Sequence, residues 1–381
     1  MTPNSMRIAR TLLSLLLLVL VAGCAAPAEN LPTAVNTMEA AITALPDQGP
    51  PMIGPATPTP LAAMGQLSET ESASAQPEQP IRQIFLDGPM AEPDAEISSM
   101  AWYGDYLILM PQYPNRFGDN LFWLAKADIL AYLYNEIPGP LLPTPIPFRG
   151  EDLPTTIFGY EGLEGIDFVG DQVFFTVESR PDTMRGYLLS GEIAPDMSEI
   201  RVDTANLVSI QPQADLANMT DETILVVDDR VITIYEANGA NVNPNPVAHV
   251  FGLDLSEQPS IPFPNVEYRI NDATLLDADG IFWAINYFWP GDQKLLPIPD
   301  PIAARWGQGQ SHSQTVVVER LLPMRSSPEG ITLADVPPVQ LALIGGIIAR
   351  NWEGLVLLDD LGFLLVTDKH PSTILAFVPR P

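Results

Sequence analysis

The sequence predicts an all-β domain, and three observations support this fold class. The 381 residues include 40 prolines, about twice the average share, which argues against a mostly helical protein. From about Ile81 onward, short β-rich runs alternate with turns of Gly, Asp, Asn and Pro, and no long stretch has helical periodicity. One hairpin-like pattern also recurs five times along this part of the chain. Because 46% of the residues are hydrophobic and 17% are charged, the chain can form a sizeable core.

Each copy of the repeat has the pattern of a β-hairpin. A small polar or acidic residue precedes an apolar strand, a Gly/Asp turn, and a second apolar strand that ends in a polar residue. The copies span 98–112, 164–178, 222–236, 271–286 and 353–368. Their spacing leaves room for two further strands each, so the sequence predicts a five-bladed β-propeller. A sixth blade within 295–348 and a β-sandwich are the alternatives. Pairing of 81–86 with 373–378 would close the ring.

The N-terminus is predicted to be a lipoprotein signal peptide, residues 1–23. Arg7 and Arg10 give it a positive start, and the apolar run 12–20 is too short to span a bilayer comfortably. The run ends in Leu-Val-Ala-Gly-Cys, which resembles the bacterial lipobox, and Cys24 is the single cysteine of the chain. The resemblance implies cleavage before Cys24 and acylation of this residue, for example with palmitate. An uncleaved membrane anchor is the alternative.

Residues 24–80 are predicted to be the lipidated cysteine and a disordered tether. The stretch after Cys24 lacks aromatic residues, Lys and Arg, and is rich in Pro, Ala, Thr, Ser and Glu. Such a composition cannot bury enough apolar area to offset the entropy of ordering. The expected organisation is therefore a signal peptide (1–23), a tether (24–80) and a propeller domain (81–381). A lipid anchor would hold this domain on the extracytoplasmic side of the cell membrane or at the cell surface.

The charge balance, the single cysteine and the absence of three catalytic motifs exclude several classes of function. With 47 acidic residues against 18 Lys and Arg, the formal net charge is −29, so the chain lacks the basic surface that a nucleic-acid partner requires. A single cysteine excludes an intramolecular disulfide and a Cys-based zinc site. The sequence also contains no Gly-x-Ser-x-Gly elbow, no His-Glu-x-x-His helix and no phosphate-binding loop.

The first residue of each repeat is a candidate metal ligand. In a propeller the first strand of every blade lines the central tunnel, so equivalent positions converge. These positions hold Ser98, Glu164, Glu222, Asn271 and Glu353. Carboxylates brought together must take up protons, water or a cation, and oxygen ligands without sulfur or histidine suit Ca²⁺ better than Zn²⁺. The sequence therefore predicts an axial Ca²⁺ site. Turn and cap hydrogen bonds facing solvent are the alternative role for these residues.

The last residue of each repeat returns to the same face and forms a second predicted ring. This ring consists of Gln112, Glu178, Glu236, Asn286 and Asp368. Several of the chain's few basic side chains lie beside it in sequence, which predicts a site for an anionic small molecule such as a phosphate ester. The predicted ligand-binding residues are Arg116, Glu178, Arg180, Arg269, Arg350, Asp368 and Lys369. Salt bridges to neighbouring acids are the alternative role for the cations.

The series Ser, Glu, Glu, Asn, Glu at the heads of the repeats is similar to that of the calcium-activated nucleotidases (apyrases), which are five-bladed propellers. Residues 160–166 and 352–355 also resemble the phytase-like and esterase-like propellers of bacterial exported proteins. The resemblance covers residues 97 to about 371 through the repeat unit alone, and Asn271 stands where the nucleotidases have Ser. It implies an axial Ca²⁺ and hydrolysis of a phosphate ester. The alternative function is non-enzymatic binding of a ligand or of an envelope protein.

Overall fold

The computed structural model describes residues 75–296 and 299–381, and the fold is given for these residues. The predicted signal peptide, Cys24 and most of the predicted tether lie outside the described residues. The first described strand is Glu78–Gln79, so regular structure begins slightly before the predicted domain boundary at Ile81. Within the described ranges, none of the helices has the length and hydropathy needed to cross a membrane.

Strands dominate the described chain, which confirms the all-β fold class. In chain order they are β1 (Glu78–Gln79), β2 (Arg82–Ile84), β3 (Ile97–Tyr103), β4 (Tyr106–Pro111), β5 (Asn120–Ala125), β6 (Thr144–Arg149), β7 (Tyr160–Val169), β8 (Gln172–Ser179), β9 (Arg185–Ile193), β10 (Ile200–Ile210), β11 (Asp221–Val227), β12 (Arg230–Tyr235), β13 (Val247–Gly252), β14 (Glu257–Pro262), β15 (Ile281–Phe288), β16 (Val318–Ser327), β17 (Gly330–Leu333), β18 (Val339–Leu341), β19 (Trp352–Leu358), β20 (Gly362–Thr367) and β21 (Leu375–Pro379). The helices are short: α1 (Lys126–Leu133), α2 (Leu153–Thr156), α3 (Pro301–Trp306), and 3-10 segments at Gly88–Ala91, Pro114–Phe117, Gln293–Leu295 and His312–Gln314.

Four of the five predicted hairpins are continuous antiparallel pairs, namely β3–β4, β7–β8, β11–β12 and β19–β20. Their tight turns need positive φ, which glycine and aspartate adopt at low cost. Gly104, Gly170 and Asp228 accordingly have φ values of 57°, 56° and 56°. The turn residues of the sequence therefore determine where these hairpins reverse.

The fourth predicted hairpin is irregular in its first arm. Only isolated bridges join this arm to β15, between Arg269 and Tyr287 and between Ala273 and Ala284. Nearby, the Thr274 hydroxyl accepts the N–H of Trp283 at 3.0 Å, so a side chain replaces one ladder hydrogen bond. The segment still runs beside β15, as the repeat predicts.

The strands form sheets in which sequential strands are neighbours. β11–β14 form one sheet, and β15, β16, β17, β18 and β1 form another. β19, β20 and β21 pair in order and are completed by β2 from the other end of the chain. This confirms the predicted pairing of the chain ends. The largest sheet joins β3–β6 to β7–β10 through a two-residue parallel contact between β6 and β10.

Apolar clusters lie between successive sheets and form the core. Phe175 of β8 packs with Ile108 of β4, whereas its neighbour Phe174 packs with Val231 of β12. Similar clusters join β12 to β15, β15 to β19, and β20 to β3. The first strands also lie side by side, with β3 between β7 and β19, and β7 next to β11. Because these first strands are mostly buried on both faces, the sheets follow one another around a common centre in a propeller-like arrangement.

Candidate binding site

In each of the four continuous hairpins, the first strand has a β-bulge. The bulge lies at the residue that the sequence predicts as a metal ligand. In β3 the pairing shifts by one residue, which leaves Ser98 as the extra residue of the bulge. The same shift leaves Glu164 extra in β7, Glu222 in β11 and Glu353 in β19. A bulge bends its strand and redirects a side chain. We infer that the repeated bulge is the feature that directs these four side chains to the centre.

A central cavity of about 660 Å³ lies beside these bulges. Residues of both predicted rings line it, namely Ser98, Gln112, Glu164, Glu178, Glu222, Glu353 and Asp368. Asn271 does not line the cavity, although its Nδ2 donates to Oε2 of Glu353 at 2.7 Å. Glu236 and Asn286 are fully buried and do not line it either. The repeat positions therefore converge, but not all of them reach the same open space.

Acidic side chains outnumber basic ones around this cavity. Among the described lining residues, six are acidic: Glu164, Glu178, Glu222, Asp292, Glu353 and Asp368. Besides His370, the basic lining residues are Arg269 and Lys369, and these two already have acidic partners. Arg269 contacts Glu236 and donates through Nε to Asp292 at 2.7 Å, and Lys369 lies 3.3 Å from Oε2 of Glu96. When ionised, these acids would give the cavity a net negative charge.

Burial strongly favours the protonated form of these acids. Desolvation raises the pKa of the Glu178 carboxyl to about 8, and the negative charge of Glu236 adds to this effect. Desolvation also raises the pKa of Glu236 to about 7, although Arg269 opposes the shift. These acids therefore release their protons at a higher pH than exposed carboxyl groups do, and a bound cation would favour that release.

The three bulge glutamates behave in the same way. Desolvation is the main cause that holds their pKa values well above the usual range, and a neighbouring carboxylate is the next cause in each case. The neighbours are Glu178 for Glu164, Glu236 for Glu222, and Asp368 for Glu353. Each pair brings one residue of the first ring against one of the second.

Several buried oxygens around the cavity have no hydrogen-bond donor. Glu222 is only 6% exposed, and its Oε2 has no hydrogen-bond partner. The same is true of Oδ1 of Asp368 and Oδ1 of Asn271. Buried acceptors without donors are costly and uncommon in folded proteins. Protons or a bound cation would satisfy them.

The remaining predicted anion-binding cations are held in ion pairs outside the cavity. Arg116 pairs with Glu96 at 2.9 Å, and Arg180 pairs with Glu161 at 2.7 Å. Arg350 is buried, and its guanidinium donates to Glu319 at 2.9 Å. None of the three lines the central cavity. These three cations therefore form salt bridges to neighbouring acids, which is the alternative role that the sequence left open for them.

Two buried aspartates, Asp272 and Asp167, connect neighbouring sheets by hydrogen bonds. Asp272 accepts the N–H of Leu355 at 2.8 Å and the hydroxyl of Ser99 at 3.4 Å, which links three sheets. Asp167 accepts the N–H of Val226 at 2.9 Å. These two aspartates also help to line a second cavity of about 70 Å³.

Four apolar residues in the lining of the central cavity, called the apolar wall below, were not predicted from the sequence. The apolar wall consists of Trp289, directly after β15, together with Val317, Ile347 and Ile348. Trp289, Ile347 and Ile348 are 56%, 60% and 49% exposed. One sequence feature could have indicated these residues. Trp289, Ile347 and Ile348 are apolar but lie in the turn sequences Trp-Pro-Gly and Gly-Gly-Ile-Ile, where burial in a strand does not account for them. The lining of the cavity thus combines acidic side chains with the apolar wall.

The acidic groups are spread around the cavity. Within the described ranges, no three His, Cys, Asp or Glu side chains converge closely enough to hold a metal ion as they stand. The ligand types nevertheless fit Ca²⁺, because they are carboxylate and amide oxygens. A single ion would therefore require side-chain rotation or bridging water molecules to complete its shell.

Comparisons with known proteins add little about function. No family model and no curated protein sequence matches the chain. Among solved structures, it is similar to the apo form of the soluble aldose sugar dehydrogenase of Escherichia coli, with 11% identity, a TM-score of 0.39, and coverage of 79% of this chain and 99% of that one. It is also similar to a mannose phosphorylase of Leishmania mexicana (12% identity, TM-score 0.41, coverage 79% and 87%) and to the WD40 repeats of RRP9 (8%, 0.32, 74% and 79%). Likenesses this weak say nothing about the ligand or activity of this chain.

Proposed function

We propose that this chain is an envelope-anchored five-bladed propeller whose central cavity binds a cation, with Ca²⁺ as the candidate metal. The strand pairing supports five blades, namely β3–β6, β7–β10, β11–β14, the segment before β15 with β15–β18 and β1, and β19–β21 with β2. Residues 295–348, where a sixth blade was the alternative, contribute β16, β17 and β18 to the same sheet as β15.

The unpartnered carboxylate of Glu222 carries the proposal. Its Oε2 is buried at an acid-rich cavity and accepts no hydrogen bond while both carboxyls are ionised, and the Glu236 carboxyl lies near enough to share a proton with Glu222. A bound cation would contact this oxygen and would also reduce the repulsion among the carboxylates. Glu164, Glu222 and Glu353 would supply charged oxygens, with Ser98 and the Asn271 amide as neutral donors. Bound Ca²⁺ would add positive charge that can attract an anionic group.

An anionic ligand is the second component of this proposal. The Arg269 and Lys369 side chains of the cavity are already paired with acids, so an anion would gain little binding energy from these two side chains alone. It would enter together with Ca²⁺. Hydrolysis of a phosphate ester is the enzymatic form of this function, and the resemblance of the repeats to the nucleotidases supports it. Binding without turnover is the other form, and a protein-interaction module of the envelope is the non-enzymatic alternative.

Equilibrium dialysis with Ca²⁺ tests the binding function. We expect saturable binding near one ion per chain for the unmodified protein and loss of this binding in Glu222→Gln/Glu353→Gln. Glu329→Gln, which removes a charge from an exposed turn, is the matched control and should bind normally. Equal Ca²⁺ binding by the double variant would refute the site. Assays of phosphate release on the same samples separate turnover from binding.

The proposed anchor has its own test. We expect the unmodified protein to incorporate labelled palmitate and to partition into the detergent phase of Triton X-114. Cys24→Ser should abolish both, because two or more acyl chains are needed for stable anchoring and the chain has no second cysteine. Continued labelling of Cys24→Ser would show that the acyl group is attached elsewhere.

A further inference from the structure

The acidic groups of the central cavity suit a cation with several separated charges. Six acidic residues surround a space of about 660 Å³, and no three of the described acidic or histidine side chains converge on one point. A Ca²⁺ ion needs six to eight oxygens at about 2.3–2.6 Å, so one ion would use only a small part of this space. The volume is instead typical of small-molecule sites.

The apolar wall adds a second requirement for the ligand. Trp289, Ile347 and Ile348 are exposed, yet all three face the same cavity as the carboxylates. The ring of Trp289 lies over Gly291, where an added Cβ would be 1.7 Å from it, so the turn fits closely around the indole. In the same loop, Asp292 is held by Arg269 at 2.7 Å. The loop therefore presents the indole at a defined place.

We propose that the physiological cation of this cavity is an aliphatic polyamine, an inference that rests on the proposed cation-binding function. Its ammonium groups would donate to the buried carboxylates, including the unpartnered Oε2 of Glu222, and its methylene chain would lie against Ile347 and Ile348. Trp289 would contribute both apolar contact and attraction of an ammonium group to its ring. A metal ion would contact only the carboxylates, whereas a polyamine would contact both the carboxylates and the apolar wall.

Calorimetric titration of the full-length protein in detergent, with spermidine in the presence of EDTA, tests this inference. We expect saturable binding of spermidine at one site per chain. Trp289→Ala and Ile347→Ser should each weaken it roughly 10-fold, because each removes apolar contact with the ligand. Phe85→Ala is the matched control, since Phe85 is 57% exposed, as Trp289 is 56% exposed, but lies outside the cavity. Thermal midpoints of all variants verify that they are folded.

The outcomes separate this inference from the function on which it rests. Spermidine binding that both wall variants weaken, and that Phe85→Ala leaves intact, supports the polyamine. Ca²⁺ binding without spermidine binding overturns the polyamine and leaves the cation-binding function standing. Spermidine binding that both wall variants retain unchanged also overturns it, because the ligand would then not use the apolar wall. Absence of binding by both cations overturns the two proposals together.

Discussion

The cation-free protein is expected to lose stability as the pH rises from about 5 to about 8.5, because its buried acids hold protons in the folded state. The pKa is raised from 4.5 to about 8 for Glu178, from 4.5 to about 7 for Glu236, and from 3.8 to about 7 for Asp167. The folded chain therefore binds more protons than the unfolded chain in this window. The stabilisation is complete below the unfolded pKa values and is lost as the pH passes the folded ones.

The size of this effect should be large for such a protein. Each unit of pKa difference corresponds to about 1.4 kcal/mol, so several buried acids together change the free energy of unfolding by several kcal/mol. Calorimetry in EDTA should show the thermal midpoint falling by several degrees across the window. Saturating Ca²⁺ should stabilise the protein more at high pH, where it competes with fewer protons. A thermal midpoint that rises with pH in EDTA would contradict the assignment of protonated buried acids.

Arg350→Met is expected to be among the most destabilising single changes in the domain. Glu319 is fully buried and accepts hydrogen bonds from the Arg350 guanidinium at 2.9 Å and from Nε1 of Trp352 at 2.9 Å. These contacts join β16 to β19, which lie in different sheets. Removing one partner of a buried ion pair leaves an uncompensated charge and costs about 3–5 kcal/mol. Urea unfolding measures the loss.

Arg201→Met is the control for this prediction. Arg201 pairs with Glu199 at 2.6 Å, but its side chain is 65% exposed. Exposed pairs contribute about 0–1 kcal/mol, so the two arginine variants should differ clearly. Similar losses in the free energy of unfolding for the two variants would mean that burial of the Arg350–Glu319 pair contributes little to stability. The Arg350 variant should still bind Ca²⁺ at temperatures where it is folded, because Arg350 does not line the cavity.

The repeat and its turns were predictable because they depend on local chemistry. Glycine and aspartate at the reversals, between apolar runs, give the observed hairpins at Gly104, Gly170 and Asp228. Ser98, Glu164, Glu222 and Glu353 line one cavity, as the repeat predicted, since equivalent positions meet at the centre of a propeller-like arrangement of sheets. The pairing of β2 with β21 could be anticipated in the same way.

Other features depend on contacts between distant parts of the chain. The bulges follow from strand pairing, and close approach also constrains them: an added Cβ at Gly165 would lie 2.2 Å from the carbonyl oxygen of Glu222. The partner of Arg350 is 31 residues away, in another sheet, so its sequence neighbours gave no indication of the ion pair. The loops that carry Trp289 and Ile347 have no periodic pattern. For these reasons the acidic ring was predictable and the apolar wall was not.

The most direct test of the cation-binding cavity is an anomalous-difference map from crystals grown with Tb³⁺ as a Ca²⁺ substitute. The proposed site predicts a strong peak within the central cavity, in contact with carboxylates of Glu164, Glu222 and Glu353, and loss of this peak when Ca²⁺ is added in excess. A cavity without anomalous signal, or peaks confined to the outer surface, would contradict the proposed Ca²⁺ site.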